Sequence, residues 1–137
     1  MEPEVTLLIG LPGAGKSTFV ARHLAATHAV VSKDLMGRSA PRKEARLLRE
    51  LAAHLAAGRS VAVDNTQPSV AERAGVIRVA RAHGVRVVGY WFAPDVALCR
   101  ARNAAREHPV PLVGLHAAAG RWEVPTLAEG FDELTAL

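Results

Sequence analysis

The chain has 137 residues, half of them hydrophobic, with a single cysteine and a net charge of +4. That length supports one core of ordinary size, which predicts a single domain over residues 1–137. The lone Cys99 excludes an internal disulfide, the six histidines show no metal-ligand spacing, and no apolar run is long enough to span a bilayer.

The N-terminus, Met-Glu-Pro-Glu, is acidic and leads at once into an apolar run, unlike a secretory or transit signal, so a cytoplasmic protein is expected. Of the 17 basic residues 14 are arginine, the residue suited to bidentate phosphate contacts. A biased genome accounts for the arginine content equally well.

Val5 to Ile9 reads as a buried strand. Gly10-Leu11-Pro12-Gly13-Ala14-Gly15-Lys16-Ser17-Thr18 follows and fits G-x-x-x-x-G-K-[ST]. Phe19 to Ala25 continues with helix formers. A strand, a glycine-rich loop and a helix are the context in which this motif binds phosphate. The glycines free the backbone to turn its N–H groups inward, and the positive end of the helix adds attraction. Lys16 can reach the β- and γ-phosphates and the Ser17 hydroxyl can ligate Mg²⁺. A nucleoside triphosphate is therefore the expected ligand.

His28 to Ser32 reads as a second strand, followed by Lys33-Asp34 and a turn from Gly37 to Pro41. Arg42 to Ala57 has helical spacing at Ala45, Leu48, Leu51, Ala52 and Leu55, with Gly58 as the stop. Ser60 to Val63 is a third strand, ending in Asp64-Asn65-Thr66. Pro68 to His83 is a helix with Val70, Ala74, Ile77 and Ala80 as its candidate apolar face. Arg86 to Phe92 is a fourth strand. A helix from Pro94-Asp95 runs to about Glu107, and Pro109 and Pro111 break it. Leu112 to Ala119 forms a short helix. Phe131 to Leu137 is either an edge strand or a helical end. Strands alternating with helices predict an α/β fold: a parallel sheet of four to five strands flanked by helices. Ligands of such sheets sit beyond the carboxyl ends of the strands, where the loop, Asp34 and Asp64 all fall.

Each polar candidate has a functional and a structural reading, and Asp64 has two functional ones. Asp34 is a carboxylate placed to accept a hydroxyl proton during phosphoryl transfer, or an N-cap aspartate. Asp64 holds Mg²⁺, directly or through water, or orients an arginine that holds substrate, or satisfies the backbone of a turn with Asn65 and Thr66. Arg102 and Arg106, four apart, share a helix face with no acid between them. They form either a lid that closes over a phosphate or a solvated basic face with Glu107 nearby. Cys99 is a small core filler or a reactive thiol. Trp91 and Phe92 fill the core, and aromatics are too few for a base-stacking platform.

The loop, Asp34, Val63-Asp64-Asn65-Thr66-Gln67-Pro68, Arg100-Ala101-Arg102-Asn103-Ala104-Ala105-Arg106-Glu107 and the tail Trp122 to Phe131 together resemble the kinase domain of 5′-polynucleotide kinases. The resemblance implies a P-loop NTPase-type kinase with a helical lid, using ATP and Mg²⁺ to phosphorylate the 5′-hydroxyl of a nucleic acid. By position it makes Asp34 the general base, Lys16 and Ser17 the phosphate and metal ligands, and Arg102 and Arg106 the lid arginines. It also implies that Asp34 and Asp64 meet the substrate. The arginine that grips the acceptor phosphate in that family falls three residues after the base. Here that position is Gly37, and Arg38 follows one residue late. A small-molecule kinase using the same catalytic parts is the alternative, and a nucleotide-binding regulatory module is a third reading.

Overall fold

The computed structural model describes residues 2–137. Five strands form one wholly parallel sheet in the order β2-β3-β1-β4-β5: β1 is Glu4–Ile9, β2 His28–Val31, β3 Ser60–Asp64, β4 Arg86–Trp91 and β5 Glu133–Ala136. The tail left open in the sequence is thus an edge strand, with Gly89 opposite Leu134. A methyl group on Gly89 would come within 2.8 Å of Phe131 and 2.7 Å of Leu134, so this glycine is what lets the tail pack there.

The pleat of β1 divides the core. Val5, Leu7 and Ile9 face one side, where they pack with Leu47, Leu51 and Leu55 of α2 (Lys43–Ala56) and Val76, Ile77 and Ala80 of α3 (Val70–Ala82). Leu8 faces the other side and meets Val20 and Leu24. These two lie in a π-helical segment, Val20–Leu24, that continues α1 (Lys16–Phe19). The Ala25 N–H donates five residues back, to Val20 O at 2.8 Å, which marks the wider π turn.

Two helix faces differ from those read in the sequence. In α2 the buried residues are Leu47, Leu51 and Leu55, and Ala45 is exposed. In α3 Val70 and Ala74 point outward, and the buried stripe is Arg73, Val76, Ile77 and Ala80. In α3 the shift follows from a charged residue, Arg73, at a core position, which an apolar count skips. Helix α4 (Val96–Ala104) and helix α5 (Leu112–Gly120) lie after β4. Cys99 of α4 is buried with Leu11, Leu115 and Ala118, as a core filler, and burial pushes its thiol pKa up.

Strand β1 lies between β3 and β4, so the chain goes to one side for β2 and β3 and to the other for β4 and β5. The order reverses at β1. A crevice therefore opens beyond its carboxyl end, directly at Gly10 to Ser17.

Candidate active site

The loop leaves β1 and turns through Gly13 at φ 86° and Gly15 at φ 111°, both left-handed. Glycine carries no penalty there, and the turn brings Gly15 to the N-terminus of α1. Its near end is anchored by the Gly10 N–H, which donates to Thr66 O at 3.2 Å. Gly13 packs so closely on α4 that a methyl group would stand 3.1 Å from Cys99 O.

Lys16 is only 9% exposed. Its Nζ donates to Gly10 O at 2.8 Å and Leu11 O at 3.0 Å, so the ammonium lies back across the loop. Burial pulls its pKa below the ordinary 10.5, and the carboxylates of Asp64 and Asp34 oppose that shift. Ser17 Oγ donates to Asp64 Oδ2 at 2.8 Å, which joins the loop to the end of β3. A hydroxyl and a carboxylate side by side at a phosphate loop are hard oxygen donors. They fit Mg²⁺, which takes few protein ligands and completes its shell with phosphate and water.

Asp34 sits in a 3₁₀ turn, Lys33–Leu35, that follows β2. Ser32 Oγ accepts from the Asp34 N–H at 3.1 Å, and Asn65 Oδ1 accepts from the Lys33 N–H at 2.9 Å, so the turn is pinned to the end of β3. It is Ser32 that caps this turn, not Asp34. Among the described residues, the Asp34 carboxylate has no hydrogen-bond or ion-pair partner.

These groups line one cleft of about 990 Å³. Residues Pro12 to Thr18, Asp34, Asp64, Arg102 and Arg106 all border it. Arg102 Nη1 donates to Ala14 O at 3.0 Å and Gly13 O at 3.4 Å, so α4 rests directly on the loop. Arg106 is exposed at the cleft edge. Beyond it the chain is fixed by Asn103, whose side chain bonds Val110 N and Val110 O at 2.9 and 2.8 Å.

Arg38 is different. It is exposed and borders neither this cleft nor the smaller chamber beside it. The turn from Gly37 to Pro41 carries it out to solvent.

Several residues of the site had no local signature in the sequence. Phe92, Val113 and Arg121 also border the cleft. Arg73 is fully buried and bonds Glu129 at 2.8 and 3.1 Å, Gln67 O at 2.9 Å and Glu123 O at 3.1 Å. It thus ties the tail to the loop after β3. The one available signal was its helical register with Ile77 and Ala80.

Three solved structures share this architecture. A gluconokinase from Sinorhizobium meliloti 1021 matches with a TM-score of 0.70 at 17% identity, over 98% of this chain and 82% of that one. A fungal RNA kinase matches with a TM-score of 0.76 at 15% identity; all of this chain aligns and spans 38% of that one. The Mycobacterium tuberculosis APS kinase CysC, solved with AMPPNP and APS, matches with a TM-score of 0.62 at 20% identity, over 98% and 88%. At these identities the likeness shows the shared fold and no more. The family model described as AAA domain (AAA_33) matches residues 5–123. The chain therefore belongs to this AAA domain family.

Proposed function

We propose that this protein is an ATP-dependent phosphotransferase that moves the γ-phosphoryl group to a hydroxyl. One observation carries the reading. Asp34 presents an unpaired carboxylate to the same cleft as the phosphate loop, and a protein that only held nucleotide would have no use for it. In the reaction, the acceptor oxygen forms a bond to the γ-phosphorus as the bond to the bridging oxygen of ADP breaks. Asp34 takes the hydroxyl proton.

The loop N–H groups and the α1 terminus hold the phosphates. Lys16 exchanges its carbonyl partners for phosphate oxygens. Ser17 and Asp64 would hold Mg²⁺, which would neutralise charge on the phosphate groups. Arg106, exposed at the cleft edge, meets charge on the transferring group, and Arg102 supports the loop. Displacement is in line, so ATP and acceptor approach from opposite sides.

The resemblance to polynucleotide kinases supports a 5′-hydroxyl acceptor, and the likeness to a fungal RNA kinase supports a nucleic acid. A specific observation favours a small alcohol. Arg38, the arginine nearest the position that grips the acceptor phosphate in polynucleotide kinases, is exposed and does not border the cleft. The test of the common step is Asp34→Asn, assayed with γ-labelled ATP and a panel of alcohols. Turnover should fall by about 10²- to 10⁴-fold with ATP affinity unchanged. A variant that still transfers at the wild-type rate would sink the proposal.

A further inference from the structure

Arg121 closes α5 and borders the main cleft, and the transfer step described above does not use it. The end of α5 is held against the start of α3. The Glu123 N–H donates to Pro68 O at 2.8 Å, and the Glu123 carboxylate accepts from the Val70 N–H at 3.1 Å. Arg121 itself bonds Glu72, in the first turn of α3, and Glu72 borders the smaller chamber together with Asp34. Arg121 therefore stands at the Asp34 end of the cleft, whereas Arg102 lies on the phosphate loop.

The wall leading to Arg121 carries no other formal charge. From Leu112 to Gly120, α5 contains no lysine, arginine, aspartate or glutamate. Val113, 75% exposed, borders the cleft with Gly114 and Ala118. An arginine at the end of an apolar wall is the one group there that can select a charged ligand.

Its bonding is also incomplete. Arg121 Nε donates to Glu72 Oε1 at 2.8 Å, and among the described residues its guanidinium makes no other hydrogen bond. Arginine and carboxylate bond best as a fork of two parallel N–H groups, as Arg73 and Glu129 do in this protein. In Arg121 both Nη groups are left without an acceptor. The two side chains are 51% and 38% exposed, so water screens the pair and it adds little to stability. Glu72 keeps a second donor, Ser69 Oγ at 2.9 Å, and is not stranded when Arg121 turns to a ligand. A half-used guanidinium with a replaceable partner, on the rim of a reactive cleft, is suited to taking a planar or tetrahedral anion.

We infer that Arg121 grips an anionic group of the acceptor, so that the substrate is an alcohol carrying a phosphate or a carboxylate besides the hydroxyl it presents to Asp34. The inference rests on the phosphotransfer reading above and names the class of its acceptor. In the transfer step, the hydroxyl oxygen bonds the γ-phosphorus, its proton goes to Asp34, and ADP leaves. The anionic group is unchanged; held by Arg121, it orients the hydroxyl.

The test is label transfer from γ-labelled ATP to matched pairs of acceptors: glycerol and glycerol 3-phosphate, glucose and gluconate, adenosine and adenosine 3′-monophosphate. In at least one pair the anionic member should be the better acceptor by about tenfold or more in kcat/KM, and the pair that responds tells a sugar-type from a nucleotide-type body. Arg121→Gln should raise the KM of that acceptor by about tenfold or more, with ATP affinity within about twofold, and should shrink the preference for the anionic member. Glu72→Gln should act in the opposite sense. It frees the guanidinium while keeping an acceptor for Ser69, so the KM should fall or hold. A merely structural pair would make the two variants behave alike. If Arg121→Gln loses ATP affinity through misfolding, Glu72→Gln and Arg121→Lys decide, the lysine keeping charge but losing the fork and part of the preference. Neutral members used as well as their anionic partners would overturn the inference and leave the phosphotransfer reading standing. So would an unchanged KM in Arg121→Gln, or a KM raised equally by Glu72→Gln. No label on any pair overturns it too; if ATP turnover in Asp34→Asn also equals that of the wild type, the phosphotransfer reading falls with it.

Discussion

The guanidinium of Arg73 and the carboxylate of Glu129, 56 residues apart, meet through hydrogen bonds of 2.8 and 3.1 Å in a place where their side chains are 0% and 6% exposed. Arg73 also donates to the backbone of Gln67 and Glu123, so one side chain joins the loop after β3 to the tail. Losing one member of such a pair leaves the other charge buried and unmatched. Glu129→Gln should cost about 3–5 kcal/mol by chemical denaturation. The double variant Arg73→Met with Glu129→Leu should recover most of that loss, because the desolvation of both charges disappears too. A single-variant cost well below that range would show that the pair is not what fastens the tail.

How much of this was legible beforehand follows from how local each signal is. The phosphate loop, Asp34 and Asp64 each follow a short apolar run, and such runs mark strands in the sequence. The loop motif carries its own geometry. Arg73 was missed because its partner lies on the far side of β4 in sequence, and no spacing rule links them. Arg38 stands at nearly the family spacing, but one residue of shift in a turn is enough to send it to solvent.

Gly13 is the tightest point of the loop. Gly13→Ala forces a side chain into φ 86° and places a methyl group 3.1 Å from Cys99 O. The left-handed backbone alone costs about 1–2 kcal/mol, and α4 must also back away. The expected result is a lower melting temperature with weaker ATP binding, both read by thermal shift with and without nucleotide. Wild-type ATP affinity in this variant would mean that α4 does not help shape the loop.

The two cleft arginines should separate kinetically. Arg102 is engaged with the loop carbonyls, whereas Arg106 has no hydrogen-bond or ion-pair partner among the described residues. Arg106→Ala should lower kcat by about 10²- to 10³-fold with little change in ATP affinity, as expected for a donor used mainly in the transition state. Arg102→Ala should weaken ATP binding first, since it loosens the loop. Single-turnover rates and ATP titrations on both variants resolve the two, and an identical profile would contradict the division of roles.

Lys16 should make ATP affinity fall as pH rises. Burial holds its pKa below 10.5 without ligand, while the unfolded chain keeps the ordinary value. Between those two values the unfolded state binds a proton that the folded state has lost, so this group makes the ligand-free protein more stable as pH rises through the window. Polyphosphate reverses the balance: its negative charge favours the ammonium and raises the pKa. ATP binding should therefore take up protons in the same window, and ATP affinity should fall as pH rises through it. Calorimetry in buffers of different ionisation enthalpy measures the uptake directly. Asp34→Asn removes one of the carboxylates that oppose the shift, so the window should widen toward lower pH. Lys16→Met should abolish the proton uptake, and uptake that persisted in that variant would assign it to another group.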